Sequence, residues 1–267
     1  MKNLKTILDI IKKSSPILYW NAIIISLFIG FSFIGLFVDD RTLLGINVWI
    51  KPLKFSISTC IYILTVGYLL PLYPYSKKKK KTIAGIVSWS LLIEMLIILF
   101  QAFRGIQSHF NQTSLANGIL FGLMGLLIAV NVIIMVLFLF DTVRLKLKAK
   151  KSVQLAILLG WVIVIIGSWV GGQMISQMSH NVGVVDGGAG IPILNWSTKA
   201  GDLRIAHFFG LHGIQIIPLF AVWISNILKK STAKQVIAVT TFSLVYAGWI
   251  AFTFYQAKQG MPLIAIN

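Results

Sequence analysis

The sequence predicts an all-α integral membrane protein, a seven-transmembrane-helix bundle with its N-terminus in the cytoplasm and its C-terminus outside. The first observation is composition: of 267 residues, 57% are hydrophobic and only 12% are charged, whereas soluble domains carry roughly 25% charged residues. The second is that apolar segments of about 20 residues recur, each long enough to cross about 30 Å of hydrocarbon. The third is that basic residues cluster in every second break between these segments, as the positive-inside rule requires.

The apolar segments predict a single transmembrane domain over residues 1–267. Within a few residues, the predicted helices are 17–38, 54–75, 83–104, 117–140, 153–178, 203–228 and 235–257. The first helix is expected to be an uncleaved anchor rather than a signal peptide, because it is too long and lacks a small-residue cleavage pattern.

The residues behind the net charge of +17 mainly indicate the topology of the chain in the membrane. Four breaks hold 17 of the 24 Lys and Arg residues, which predicts that these breaks face the cytoplasm and contact anionic membrane lipids. No nucleic-acid partner is predicted, because the basic runs lack an interleaved aromatic platform. The lysine- and isoleucine-rich composition indicates a bacterial inner membrane. The basic residues are Lys2, Lys5, Lys12 and Lys13; Lys77 to Lys81; Arg144, Lys146, Lys148, Lys150 and Lys151; and Lys229, Lys230 and Lys234.

The breaks predicted to face the periplasm or the outside, about 39–53, 105–116 and 179–202, are longer and richer in Gly, Pro, Trp, Asn, His and Asp. In the last of them, Asp186 precedes Gly187 and Gly188, and such a sequence requires unusual backbone angles. Loops this elaborate usually serve a site or a lid. The sequence therefore predicts that function lies on the outer side.

Ionisable side chains inside hydrocarbon are costly and usually face a cavity, a partner or a pathway. Glu94 is the acid inside an apolar segment, about ten residues from the outer end of the third helix, which places it roughly 15 Å deep. Gln101 follows two helical turns later on the same face, and Arg104 ends the helix. A polar stripe is therefore predicted from mid-membrane to the outer surface, with Glu94 and Arg104 as candidate catalytic residues.

The histidines of the chain, His109, His180, His207 and His212, all fall on the predicted outer half. In the sixth helix, Asp202 is a natural N-cap, and Arg204 and His207 share a face. His207 and His212 point about 140° apart on a straight helix, unlike the zinc-binding HExxH spacing, in which two histidines face together.

These residues predict a polar pocket with two tiers, if the third, fifth and sixth helices are neighbours. The candidate catalytic residues are Glu94, Arg104, Asp202 and Arg204, and the candidate cofactor or metal ligands are His109, His180, His207 and His212. The upper tier contains Arg104, His109, Gln173, His180, Asp202, Arg204 and His207, and the lower tier contains Glu94, His212 and Gln215.

Three functions are compatible with such a pocket. The first is a membrane oxidoreductase that holds haem b or a transition metal through His207 or His212 and one of His109 or His180, with a quinone or another small hydrophobic molecule as substrate. The second is a proton-coupled transporter or channel in which Glu94 and His212 titrate. The third is a membrane metal hydrolase, although no tight ligand spacing supports it. Walker, GxGxxG and Gly-x-Ser-x-Gly motifs are absent from the sequence.

Overall fold

The computed structural model describes residues 4–188 and 190–266, and 73% of it is helical. Two short antiparallel hairpins pair β1 (Thr42–Leu43) with β2 (Ile46–Asn47) and β3 (Asn181–Val182) with β4 (Gly201–Asp202). The helices of this part of the chain are α1 Leu4–Ser14, α2 Pro16–Val38, α3 Ile50–Leu69 with a 3₁₀ turn at Leu70–Leu72, α4 Lys77–Phe103, α5 Leu115–Arg144, α6 Lys151–Ser176, α7 Leu203–Leu211, α8 Gly213–Ile227 and α9 Thr232–Lys258.

The predicted all-helical membrane architecture is confirmed. Among the described residues, six helices are long and apolar enough to cross a membrane, and the number rises to seven if α7 and α8 form one bent span. The protein is therefore a multi-pass membrane protein. Of the basic residues used to predict its orientation, Lys2 lies outside the described residues.

Four elements differ from the sequence prediction. Helix α4 begins at Lys77 rather than at residue 83, so the run Lys77 to Lys81 belongs to a helix and not to a loop. Helix α1 precedes the first predicted span and was not expected, because it is short and amphipathic rather than continuously apolar. Helix α3 begins at Ile50 rather than at residue 54, so Lys51 belongs to the helix and not to a loop. The predicted sixth helix is bent by 47° between α7 and α8, at His212, so the angle calculated for a straight helix does not apply.

The chain divides into two compact units, Met1–Ile134 and Met135–Asn267, with the boundary inside α5. We call them unit 1 and unit 2, and describe each by itself. Within each unit, the ends of the helices farther from the Lys and Arg runs are called the loop ends.

Unit 1 packs α2, α3 and α4 around buried aliphatic side chains such as Ile25, Ile63 and Ile98. Polar side chains also join its helices: Asn21 Nδ2 donates to Ser88 O at 2.6 Å, and Asn131 Nδ2 donates to Ser90 Oγ at 2.5 Å. Such interhelical hydrogen bonds hold membrane helices in register, with each worth roughly 0.6 kcal/mol.

Unit 2 packs α6 against α7, α8 and α9. The closest approach uses small residues, since a Cβ at Gly167 of α6 would lie 2.6 Å from the carbonyl carbon of Gly210 in α7. Glycine at this position lets the two backbones meet, as is common for membrane helices. Tyr246 of α9 donates its hydroxyl to Phe209 O at 2.7 Å, and Trp161 stacks on Phe138 in the core with ring centroids 5.0 Å apart.

Candidate functional site

The residues of the predicted pocket are divided between the two units. Unit 1 holds Glu94, Arg104 and His109, whereas unit 2 holds Gln173, His180, Asp202, Arg204, His207, His212 and Gln215. Each unit contains its own polar cluster at its loop end, and the pocket that combines them stays a prediction.

In unit 1, Arg104 is held by amide side chains at the loop ends of α4 and α5. Its Nη1 donates to Gln101 Oε1 at 2.9 Å and to Asn117 Oδ1 at 3.1 Å. Gln101 is fully buried, and its Nε2 donates to the same Asn117 oxygen at 3.2 Å. Arg104 therefore joins the two helix ends, which is a structural role in addition to any chemical one.

His109 lies among aromatic rings in unit 1. Its Nδ1 is 3.1 Å from Ser108 Oγ, and its ring centroid lies 5.4 Å from that of Phe55 and 6.3 Å from that of Phe121. No other histidine belongs to this unit, so the predicted pairing of His109 with His207 or His212 would have to join the two units.

Glu94 is the exceptional acid of unit 1. It is only 6% exposed, and its carboxyl forms no hydrogen bond with any residue described by the structure. It interacts electrostatically with Lys51 of α3. A buried carboxyl without hydrogen bonds is costly in any protein interior, and the cost is highest in hydrocarbon.

In unit 2, Asp186 organises the loop between α6 and α7. Its carboxylate accepts hydrogen bonds from Ser179 Oγ at 2.8 Å, the backbone N–H of Asn181 at 3.0 Å and His180 Nδ1 at 2.5 Å. Burial opposes its ionisation, but the hydrogen bonds and the electrostatic interaction with His180 outweigh burial and hold the pKa of Asp186 well below its usual range. Gly187 and Gly188 have φ of 98° and 94°, which confirms the unusual backbone angles expected after this aspartate.

Asp202 and Arg204 form a second bonded pair. Asp202 is completely buried and caps α7, accepting from the backbone N–H of Arg204 at 2.9 Å as predicted. It also binds the Arg204 guanidinium at 2.6 Å and the backbone N–H of Ser197 at 2.8 Å. The guanidinium additionally donates to Asn195 O. Because its charge is matched by Asp202, Arg204 is better placed to fix the loop than to attract an anionic group.

His207 lies between α7 and α6 with its ring orientation fixed. Its Nδ1 is 2.8 Å from the carbonyl oxygen of Gly167, which can only accept, so Nδ1 carries the proton. Its Nε2 bonds to none of the described residues. The ring fits because Gly171 has no side chain: a Cβ there would lie 2.8 Å from His207 Cε1.

The other unit 2 histidines lie near His207. His180 and His212 are both close enough to interact with its ring electrostatically. His212 occupies the break between α7 and α8, with its ring 4.6 Å from that of Phe208 and in contact with the Gln215 side chain. A small polar cavity in the same loop region is lined by Asn181, Gly187, Gly188, Asn195, Ser197 and Arg204.

A compact metal centre is not visible in residues 4–188 and 190–266. No group of three or more His, Cys, Asp or Glu side chains within them is arranged to hold a metal ion. A mononuclear site built from all the predicted histidine ligands therefore has no support, and the individual ligand roles stay predictions.

Sequence reasoning missed three residues that shape these clusters. Lys51 was expected in a loop, Asn117 gave no sign of its partner because it opens an otherwise apolar helix, and Gly171 was not assigned to the pocket. In each case the role depends on a neighbouring helix. In the sequence, adjacent glycines within a predicted membrane helix were the one sign that another helix packs closely there.

Comparison with known proteins finds no matching family model, no similar curated protein and no similar solved structure.

Proposed function

We propose that the protein is a membrane oxidoreductase that binds haem b, which His207 of unit 2 would help to hold through its imidazole. The observation that carries this proposal is the hydrogen bond between His207 Nδ1 and Gly167 O at 2.8 Å. It leaves the Nε2 lone pair as the ligating atom, and histidine ligands usually donate their other ring N–H to such a carbonyl or carboxylate. The Nδ1 of His180 is likewise bonded to an acceptor, a carboxylate oxygen of Asp186.

The donor set favours haem over a bare metal ion. Transition metals in proteins generally take three or more side-chain ligands, and the described residues offer no such group. Haem iron receives four nitrogens from its macrocycle and needs only one or two protein ligands. His180 and His212, the neighbours of His207, are the candidates for a second one. A metal hydrolase needs the same compact ligand set, and no observation favours it.

We also propose an orientation and a partner. The bent pair α7–α8 is counted as one span, which gives seven, with the N-terminus cytoplasmic and the C-terminus outside. The loop ends then face the periplasm of a bacterial inner membrane. The distribution of Lys and Arg supports this orientation. A quinone within the membrane is the proposed electron partner.

The test is purification in detergent followed by an absorption spectrum and a haem assay. The wild type should show a Soret band, and His207→Ala should lose it. His109→Ala is the matched control, because it removes an imidazole from unit 1, and it should retain the band. A correctly folded wild-type protein without bound haem, after expression with haem precursor supplied, would overturn the proposal.

A second candidate function, proton-coupled transport, is favoured by Glu94, which is buried without a hydrogen-bond partner. The predicted pairing with His212 would span the two units, so Glu94 carries this candidate alone. In liposomes, the protein should dissipate an imposed pH gradient, and Glu94→Gln should abolish that activity. Asp40→Asn, which removes an exposed carboxyl of unit 1, should not. Equal rates for the wild type and Glu94→Gln would refute this role of Glu94.

A further inference from the structure

We infer that the small polar cavity of unit 2 binds a carbonyl oxygen of a quinone. This inference rests on the proposed function, in which a quinone is the electron partner, and it names where that quinone is held. It is carried by hydrogen-bond donors without acceptors in the cavity wall, by the matched charges around them and by an exposed apolar rim.

The cavity lies in the loop between α6 and α7, where the chain turns back on itself twice. Asn181 in β3 pairs with Asp202 in β4, and a tighter turn within the loop pairs Gly190 with Ser197. Asn195, in that turn, has a φ of 55°, a conformation that asparagine tolerates better than most residues. Its side-chain oxygen lies so close to Gly190 that a Cβ there would be 2.5 Å away. The two pairings bring both ends of the loop into one cavity wall.

The wall of the cavity offers more hydrogen-bond donors than acceptors. Arg204 uses Nε and Nη2 for Asp202 and for Asn195 O, and its Nη1 forms no hydrogen bond with the described residues. The Ser197 hydroxyl accepts from two backbone N–H groups at 3.1 and 3.3 Å but donates to none of the described residues. The Asn195 amide likewise forms no side-chain hydrogen bond with them, and the acceptors beside these donors are the side-chain oxygens of Asn195 and Asn181. A ligand that matches this wall therefore supplies lone pairs.

The charges around the cavity favour an uncharged ligand. The Arg204 guanidinium is matched by Asp202, and Asp186, which precedes the two glycines of the wall, adds a carboxylate that is hydrogen-bonded to His180. The ammonium group of Lys199 donates to a backbone oxygen near the C-terminus at 2.8 Å. An anion would therefore enter without a surplus positive charge to offset the loss of its hydration. A carbonyl oxygen supplies lone pairs without a charge, and a quinone ring has two of them.

The rim of the cavity is apolar. Val185, whose backbone oxygen accepts from Asn181 Nδ2 at 3.3 Å, is 85% exposed. Ile193, two residues before Asn195, is 67% exposed. Exposed apolar side chains beside a few polar groups are typical of a site for an amphipathic ligand. The empty space is about 160 Å³ including its open mouth, so the cavity takes the polar edge of a quinone ring and leaves the rest of the ring and the isoprenoid tail to the rim and the lipid.

The test is equilibrium dialysis of the full chain in detergent against a 1,4-benzoquinone that carries one isoprene unit. The wild type should bind it saturably. A 1,4-dimethoxybenzene with the same tail should bind about tenfold more weakly, because its ether oxygens are poorer acceptors than carbonyl oxygens.

Two variants and a control locate the site. Asn195→Asp keeps the size of the side chain but replaces its N–H donors with a carboxylate oxygen that can occupy Arg204 Nη1, so quinone affinity should fall about tenfold or more. Val185→Ser changes an exposed position and should lower the affinity about threefold through lost apolar contact. Asn226→Asp makes the same exchange at an exposed position of unit 2 and should bind as the wild type does.

The absorption spectrum separates this inference from haem binding. A Soret band without saturable quinone binding overturns the quinone site and leaves haem binding standing, whereas saturable binding without a Soret band supports the quinone site and overturns haem binding. Displacement of the quinone by an equal concentration of a neutral diacylglycerol would show that the cavity takes a lipid ester carbonyl, and would overturn the inference. Equal affinities for the quinone and its ether analogue, or wild-type affinity in both variants, would also overturn it. If Asn195→Asp does not fold, Val185→Ser and the ether analogue still decide the question.

Discussion

The two units treat their buried acids in opposite ways. In unit 2, Asp202 is fully buried and bound by a guanidinium and two backbone N–H groups, and Asp186 is bound by the backbone and by His180. In unit 1, Glu94 is nearly as buried but lacks hydrogen bonds to the described residues. Polar groups with all their hydrogen bonds made hold a structure together, whereas polar groups that lack hydrogen bonds have capacity left to bind a ligand or a proton.

His207 and Arg204 show the same distinction within unit 2. His207 is bonded through Nδ1 to Gly167 O, and its second nitrogen forms no hydrogen bond with the described residues. Arg204 binds Asp202 and Asn195 through Nε and Nη2 of its guanidinium. The difference separates two residues that looked equally functional in sequence: the arginine is bonded within its loop, and the histidine keeps one nitrogen for the ligand role proposed above.

The strongest test of this comparison removes one acid from each unit. Asp202→Ala should lower the free energy of unfolding by about 3 kcal/mol, because it leaves the partly buried guanidinium of Arg204 unpaired. Glu94→Gln should change it by less than about 1 kcal/mol, since no hydrogen bond is lost. Both can be measured by equilibrium unfolding in mixed detergent micelles. Equal losses of unfolding free energy in the two variants would contradict the difference between the units.

Adjacent glycines test the site of His207. Gly171→Ala places a methyl group against the imidazole, and overpacking of this kind costs about 1–3 kcal/mol. Haem affinity should therefore fall about tenfold. Gly172→Ala is a matched control, because a Cβ there meets nothing within 4 Å, and its affinity should be unchanged. A haem titration of both variants measures the difference, and similar affinities would argue against His207 as a ligand.

Asp186, one of the hydrogen-bonded acids of unit 2, should also make the stability of the folded protein depend on pH. Because the pKa of Asp186 is lower in the folded protein than in the unfolded chain, its stabilisation is complete at neutral pH. That stabilisation starts to fade as the pH falls to about 4 and is lost progressively below it. Asp186→Asn should flatten this dependence, which is worth about 1 kcal/mol between pH 7 and pH 3. Thermal unfolding between pH 7 and pH 3 measures it, with Asp40→Asn as the control. A wild-type profile as flat as that of Asp186→Asn would contradict the role of the carboxylate.

Hydropathy was sufficient to predict most of the fold. A long apolar run is nearly always a membrane helix, so the spans were located from sequence to within a few residues. The misses have local causes. Helix α1 is too short to give a hydropathy peak, and Lys51 and Pro52 made the start of α3 look like a loop. Proline at that position is in the first turn, where its missing N–H costs nothing.

The candidate site was predicted less completely, because its properties depend on partners far apart in the chain. The N-cap role of Asp202 is local and was predicted. Whether His207 is bonded depends on Gly167, 40 residues away, and Arg104 finds its partner Asn117 on the next helix. The bend at His212 lies between Gly210 and Gly213, both of which pack closely against α6, and a calculation for a straight helix does not contain it. Sequence shows which polar residues are costly, and tertiary contacts decide which are satisfied.

The smallest effect should be the same in both units. Ser76 caps α4 in unit 1 by accepting from the backbone N–H of Lys79 at 3.2 Å, and Ser231 caps α9 in unit 2 through Lys234 at 3.3 Å. Replacing either serine with alanine should cost about 1 kcal/mol in unfolding free energy. Added salt should change the unfolding free energy lost in Ser76→Ala more than that lost in Ser231→Ala. The lysines from Lys77 onward are repelled by the positive end of the α4 dipole, and salt screens that repulsion. If Ser231→Ala proved several times more costly than Ser76→Ala, the two units would differ in the strength of their helices as well as in the bonding of their buried acids.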